Sequence, residues 1–112
     1  MSDYPAPETL HHTSRAVVET SRPQRYVKQM VSHMGRKIPI EQIPGGHRLT
    51  FNRDNVFRGY ADLLVDDAQD DAARLLLLAY GTDAQNLTAV ERALGNHLER
   101  FGEREGLKVN FS

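Results

Sequence analysis

Residues 74–80 read Arg-Leu-Leu-Leu-Leu-Ala-Tyr, and Gly81 follows. Whether this run is helix or strand decides the fold. Consecutive leucines are apolar on every face of either element, so periodicity does not arbitrate. One reading is a helix over 67–80 closed by Gly81. The other is an acidic turn at 66–72 followed by a strand over 74–80. As a strand, the run would place leucine on both faces of a sheet. The second face would then need cover, for instance from another subunit.

The flanking segments are easier to read. Upstream, residues 14–20 (SRAVVET) are rich in β-branched side chains and predict a strand. Ser21 offers an N-cap oxygen, and Pro23 suits the first turn of a helix, where its missing N–H does no harm. Tyr26, Met30 and Met34 recur four apart with Val27 beside them, an apolar helical stripe. Gly35 closes that helix, with Arg36 and Lys37 at its negative end. Ile38, Ile40 and Ile43 mark a second strand, and Pro44-Gly45-Gly46 is a turn. Leu49 and Phe51 alternate with Arg48 and Thr50, a third strand. After a turn at Arg53-Asp54-Asn55, Phe57, Ala61 and Leu63 alternate with Arg58, Tyr60 and Asp62. This predicts a fourth strand with one wet face.

Downstream, Thr82 or Asp83 caps a second helix whose Leu87, Val90, Leu94, Leu98 and Phe101 share one face. Gly106 follows, and Leu107, Val109 and Phe111 alternate as a short last strand. Residues 1–13 (MSDYPAPETLHHT) have two prolines and no period, and predict a flexible N-terminal extension ahead of a single domain at 14–112.

A chain of 112 residues has room for one domain with an ordinary core. Its net charge of −1 argues against nucleic-acid binding, which draws its affinity from a basic excess. The absence of cysteine removes disulfides, thiolate metal sites, iron–sulfur clusters and cysteine nucleophiles, and fits a reducing compartment. No basic-then-apolar leader opens the sequence, and the longest apolar run, 75–80, is too short to span a bilayer. A cytoplasmic protein with no membrane partner is expected. Gly45-Gly46 is a lone turn without a phosphate-binding fingerprint, no serine sits in a G-x-S-x-G elbow, and no paired carboxylates stand out for acid–base work. No cofactor and no catalytic residue are expected.

Several blocks resemble one bacterial family, domain of unknown function 2218. They are Ala16-Val17-Val18-Glu19-Thr20; Pro23, Arg25 and Tyr26; Gln29, Met30, His33 and Met34; and Arg36-Lys37-Ile38. The most specific is His97-Leu98-Glu99-Arg100-Phe101 with Arg104-Glu105 and Leu107 after it. The resemblance spans roughly residues 14–111. Val31, Met34 and Phe111 depart from the family pattern of cysteine, phenylalanine and tryptophan, and 66–72 is longer than usual. The resemblance selects the strand reading of 74–80. The expected fold is then α+β: a curved antiparallel sheet with two helices packed on one face, order β-α-β-β-β-β-α-β. This is the arrangement of TATA-binding-protein-like folds, an analogy that carries no function. The resemblance also implies association with siderophore-interacting flavoprotein reductases, and through them with iron acquisition.

His97 lies three residues after Leu94 and four before Phe101, at the edge of the buried stripe, with Arg100 and Arg104 on the same flank. His33 lies three after Met30, flanked by Gln29 and Arg36. If these edges face one another, His33, Arg36, His97, Arg100 and Arg104 form a polar seam for a small anion. A carboxylate or catecholate siderophore suits paired arginines. The plainer and favoured reading gives each histidine one structural hydrogen bond at a core edge. A metal site is not expected, because no His-x₃-His pair occurs, adjacent His11 and His12 point opposite ways, and Glu99 and Glu103 face elsewhere. Arg22, Arg25, Lys28, Arg36 and Lys37 read as a solvated helix face. The first functional expectation is a non-catalytic binding or accessory domain. A homodimerisation module through strand 74–80 or an edge strand is the alternative, and an enzyme with a pocket between sheet and helices comes last.

Overall fold

The computed structural model describes residues 4–66 and 74–112. The leucine run is a strand, and the helix reading of 74–80 is overturned. The acidic stretch at 67–72 lies outside the described residues. In chain order the elements are β1 (His12–Glu19), α1 (Pro23–Met34), β2 (Ile40–Ile43), β3 (Gly46–Arg53), β4 (Val56–Asp66), β5 (Arg74–Gly81) and α2 (Ala84–Phe101). Short 3₁₀ turns occupy Pro7–Thr9 and Glu103–Glu105.

The five strands form one antiparallel sheet in the order β1-β5-β4-β3-β2. β5 is strand rather than helix because partners flank it on both sides. Ala16 pairs with Leu77 on one edge and Leu63 pairs with Leu77 on the other, so both rows of its backbone polar groups enter ladders. An alternation hidden in the leucine run then emerges. Leu75, Leu77 and Ala79 are fully buried, while Leu76, Leu78 and Tyr80 are half-buried on the opposite face.

The chain leaves β1 at one edge of the sheet and enters β2 at the other. Four strand spacings amount to about 19 Å. A helix of 12 residues is about 18 Å long, so α1 is just long enough to lie across the sheet. Its Tyr26, Val27, Met30 and Met34 join Val90, Leu94 and Leu98 of α2 over Ala16, Val18, Leu49, Ala61, Leu63, Leu75, Leu77 and Ala79 of the sheet. Both helices therefore cover one face.

The caps differ in part from expectation. Asp83 caps α2, accepting from Asn86 N at 2.7 Å. Ser21 does not cap α1. The N-cap is Arg22, whose N–H donates to Thr20 Oγ1 at 3.1 Å. β1 starts at His12, ahead of the predicted residue 14. The expected last strand forms no ladder. Residues 107–112 return along the fold, and only Arg15 and Ser112 exchange backbone bonds, at 3.2 and 2.9 Å.

Two hairpin turns and one bulge set the register. Pro44 followed by Gly45 at φ +83° fits a type II turn between β2 and β3. Asp54 and Asn55, at φ +55° and +63°, make the two-residue type I′ turn between β3 and β4. From that turn Arg53 opposes Val56 and Asn52 opposes Phe57, but Phe51 opposes Gly59. Arg58 is thus an extra residue in β4, a β-bulge. Phe57 was expected on the face of Ala61 and Leu63. The bulge turns it to the other face, beside Tyr60, with ring centroids 4.9 Å apart.

The face expected to be wet is largely covered. Thr50, Tyr60 and Asp62 are 9%, 5% and 3% exposed although they point away from the helices. Residues 4–7 lie against them. The Tyr60 hydroxyl donates to Pro5 O at 2.7 Å, and the Tyr4 ring stacks on Phe57 at 4.8 Å.

A Cβ at Gly59 would sit 1.9 Å from the Tyr80 carbonyl oxygen, a backbone atom that cannot move without breaking the β4–β5 ladder. We expect Gly59→Ala to lower unfolding stability by about 3 kcal/mol in chemical denaturation. Gly106→Ala, where only the left-handed φ of +70° opposes a side chain, should cost about 1 kcal/mol.

Candidate functional site

The facing edges of α1 and α2 meet. The imidazole rings of His33 and His97 lie 4.9 Å apart, and Phe101 packs 5.7 Å from His33 and 6.4 Å from His97. His97 sits there because Leu94 and Leu98 anchor its helix face in the core. Its Nδ1 engages the carbonyl of Ala93 at 2.6 Å, one turn back. A nitrogen facing a carbonyl at that distance carries a proton. His97 thus has the structural bond of the plainer reading.

His33 is exposed at the last turn of α1, and its side chain makes no hydrogen bond among the described residues. Its pKa is held below 6.5, first by lost hydration against the neighbouring rings and then by the charges of His97, Lys37, Arg36 and Arg100. The positive charges of Arg36, Lys37 and Arg100 thus act on His33. Arg104 is exposed in the turn after α2. Among the described residues, Arg36, Lys37 and Arg100 make no ion pair. Nor does any described cluster of histidine and carboxylate groups have the makings of a metal site. Lys37 and Ala93, which border the seam, also line a cleft of about 890 Å³ that extends past Phe51 and Asn52 to Arg58.

The carboxylates of the C-terminal half serve the fold. Glu105 accepts from the Tyr26 hydroxyl at 2.6 Å and from Thr20 Oγ1 at 3.0 Å, tying the turn after α2 to α1 and the end of β1. These bonds hold its carboxyl below the usual value, while burial and the adjacent carboxylate push the Tyr26 phenol up. Glu99 accepts from Val109 N at 2.9 Å, and Glu91 from Ser14.

A second polar constellation lies on the face away from the helices. Arg48 of β3 grips Asp62 of β4 with Nε and Nη2, at 2.7 and 3.0 Å. The Tyr80 hydroxyl of β5 donates to Asp62 Oδ2 at 3.1 Å, and the Arg48 guanidinium lies 5.8 Å from the Tyr60 ring centroid. Burial, and then the Asp62 carboxylate, raise the Tyr80 phenol to about 12. One signal was present in the sequence: opposite charges at outward positions of strands joined by a tight turn. The turn alone would have set Arg48 opposite Ala61, and the bulge moves it onto Asp62.

With the geometry described, its relatives can be placed. The model of an uncharacterised protein family conserved in bacteria, DUF2218, matches residues 15–112. The chain belongs to this family. The NMR structure of PA4090 from Pseudomonas aeruginosa is similar in fold, with a TM-score of 0.68 at 22% identity. That match covers 89% of this chain and 94% of PA4090. No curated protein matches the chain. Six of the residues that carry the DUF2218 resemblance meet in space: Thr20 and Tyr26 with Glu105, and His33 with His97 and Phe101.

Two outcomes follow from these contacts. Tyr80 ionises near 10 when unfolded and near 12 when folded, so the unfolded chain releases its proton first. Stability should therefore fall as pH rises from 10 toward 12, and urea melts of Tyr80→Phe should decline less over that window. Asp62→Asn leaves the Arg48 charge against a covered face. It should cost about 3 kcal/mol of unfolding stability, measured by urea denaturation at pH 7.

Proposed function

We propose that this DUF2218 domain is a non-catalytic binding module that takes a small anion on the α1–α2 seam, with His33, Arg36, His97 and Arg100 as the contacting side chains. The observation that carries the reading is the contact of two imidazoles, with His33 subject to the charges of three cations that make no ion pair among the described residues. Such a patch concentrates positive potential, and an anion relieves it. Arg36 and Arg100 offer planar forks for carboxylate or phosphate, and protonated His33 adds a third donor. Arg104 is at most a peripheral charge.

The ligand class is a carboxylate or catecholate of the kind that ferric siderophores carry. The resemblance to companions of siderophore-interacting reductases favours this choice, and such a reductase is the partner that fits it.

Anion binding has a definite sign at His33. Without an anion the neutral ring is favoured; a bound anion favours the charged ring and raises the pKa. In an NMR titration of the histidine ring protons, His33 should titrate below 6.5 in chloride buffer and move upward in inorganic phosphate or citrate. The upward movement should be lost in Arg100→Gln and retained in Lys28→Gln, a surface control. A His33 titration unmoved by either anion would remove the proposal. Ferric citrate should raise the melting temperature of the wild type and leave that of His97→Ala unchanged.

A homodimer through the outer face of β1 and β5 is the second reading. Val17 is 49% exposed and pairs with half-buried Leu76, leaving an apolar strip beside Leu78. Light scattering after size exclusion should then give twice the chain mass, and Val17→Lys should halve it.

A further inference from the structure

The outer face of β3, β4 and β5 already holds an occupant, and its chemistry defines a site. Residues 4–7 read Tyr-Pro-Ala-Pro. Proline fixes φ near the polyproline II value, and the residue before a proline is pushed toward the same conformation. Ala6, between the two prolines, is at φ −69° and ψ 147°. That is polyproline II, the form this segment favours before it touches the sheet.

The surface it meets is built from aromatic rings with a hydroxyl donor. Phe57, Tyr60 and Tyr80 form a continuous row, with centroids 4.9 and 6.5 Å apart. Tyr4 stacks on Phe57 at the end of the row. The Tyr60 hydroxyl donates to the Pro5 carbonyl at 2.7 Å, and Asn52 Nδ2 donates to the Tyr4 hydroxyl at 2.9 Å. A row of rings that receives prolines, with a side-chain donor for a backbone carbonyl, is the general mode by which proline-rich segments are recognised. Its components are rigid. Tyr60 is almost wholly buried, and Asp62, gripped by Arg48, fixes the hydroxyl of Tyr80.

Two further facts separate the groove from its occupant. The family match starts at residue 15, so every wall residue lies inside the DUF2218 domain and the Tyr-Pro-Ala-Pro segment lies ahead of it. The segment also leaves part of the groove open. A cleft of about 410 Å³ runs from residues 4–7 past Thr50 and Arg48 to Pro39 and Glu41.

We infer that this face is a peptide-binding groove for extended, aromatic-proline-x-proline segments of a partner protein, held closed in the isolated chain by residues 4–7 acting as an intramolecular ligand. The tethered segment competes at an effective concentration of about a millimolar. A partner segment displaces it at millimolar concentration, or at lower concentration when it is longer and so reaches the open cleft beside Arg48 and Glu41. This site is independent of the histidine seam and lies on the opposite face of the sheet.

The probe is a fluorescein-labelled peptide of residues 1–10 of this sequence, followed by fluorescence polarisation. Wild-type chain should bind it weakly. Full-length chain carrying Tyr4→Ala and Pro5→Ala should bind it at least tenfold more tightly, because its own segment no longer competes. Adding Tyr60→Phe, which keeps the ring and removes the donor, should weaken that binding at least fivefold. A peptide with the same residues in scrambled order should not bind. Amide spectra of each variant establish that it is folded. On wild-type chain, which needs no substitution, unlabelled peptide at millimolar concentration should shift Thr50, Phe57 and Tyr60. Equal affinity for wild type and the Tyr4→Ala, Pro5→Ala chain, or indifference to Tyr60→Phe, overturns the inference. A concentration-dependent wild-type dimer that Tyr4→Ala and Pro5→Ala abolish overturns the assignment to a partner protein, because the occupant is then a second copy's N-terminal segment.

Discussion

The register between β3 and β4 is the constraint on which the rest of the structure depends. A two-residue turn at Asp54 and Asn55 starts the hairpin, and the extra residue at Arg58 shifts it by one. Side chains of a strand alternate between faces, so a one-residue shift exchanges the faces of everything beyond it. With the shift, Leu49 stands opposite Ala61 under the helices, and Arg48 opposite Asp62 on the other side. Without it, Arg48 would face Ala61 and Leu49 would face Tyr60, placing an unpaired charge and an aromatic hydroxyl across from core residues. A mispaired buried charge costs several kcal/mol, a large share of the stability of a domain this size.

That register gives the sheet two different faces. One is an ordinary apolar core beneath α1 and α2. The other is a polar–aromatic layer in which Arg48, Asp62 and Tyr80 satisfy one another and Tyr60 reaches the chain's own N-terminal segment. β5 serves both, with Leu75, Leu77 and Ala79 on the first and Leu76, Leu78 and Tyr80 on the second. Residues 4–7 of the same chain cover part of that second face, at Thr50 and Tyr60.

The two helices carry the family's characteristic residues for different reasons. Tyr26, Thr20 and Glu105 clamp the C-terminal turn to the start of α1, a structural task. Leu94, Leu98 and Met30 fill the core. His33 and His97 do neither completely. One backbone bond orients His97, while His33 is left under the charges of Arg36, Lys37 and Arg100.

Local sequence determined the helical stripes of α1 and α2, the Asp83 cap, the turns at Pro44-Gly45 and Asp54-Asn55, and the placing of His33 and His97 at the edges of buried stripes. These follow from spacing and from backbone preferences that act within a few residues. Tertiary structure alone decided the rest. The leucine run became a strand because two neighbours take up both rows of its backbone polar groups, which no local pattern reveals. Phe57 changed face because of a bulge that carries no residue signature here. Ser21 lost the cap to a tighter connection through Thr20. Leu107, Val109 and Phe111 alternate like a strand, yet only Ser112 pairs with β1, because the returning chain meets that edge at one point. The Arg48–Asp62–Tyr80 cluster joins three strands, and the meeting of His33 with His97 joins two helices. Contacts of that kind depend on distances set by the packed core, and sequence spacing does not contain them.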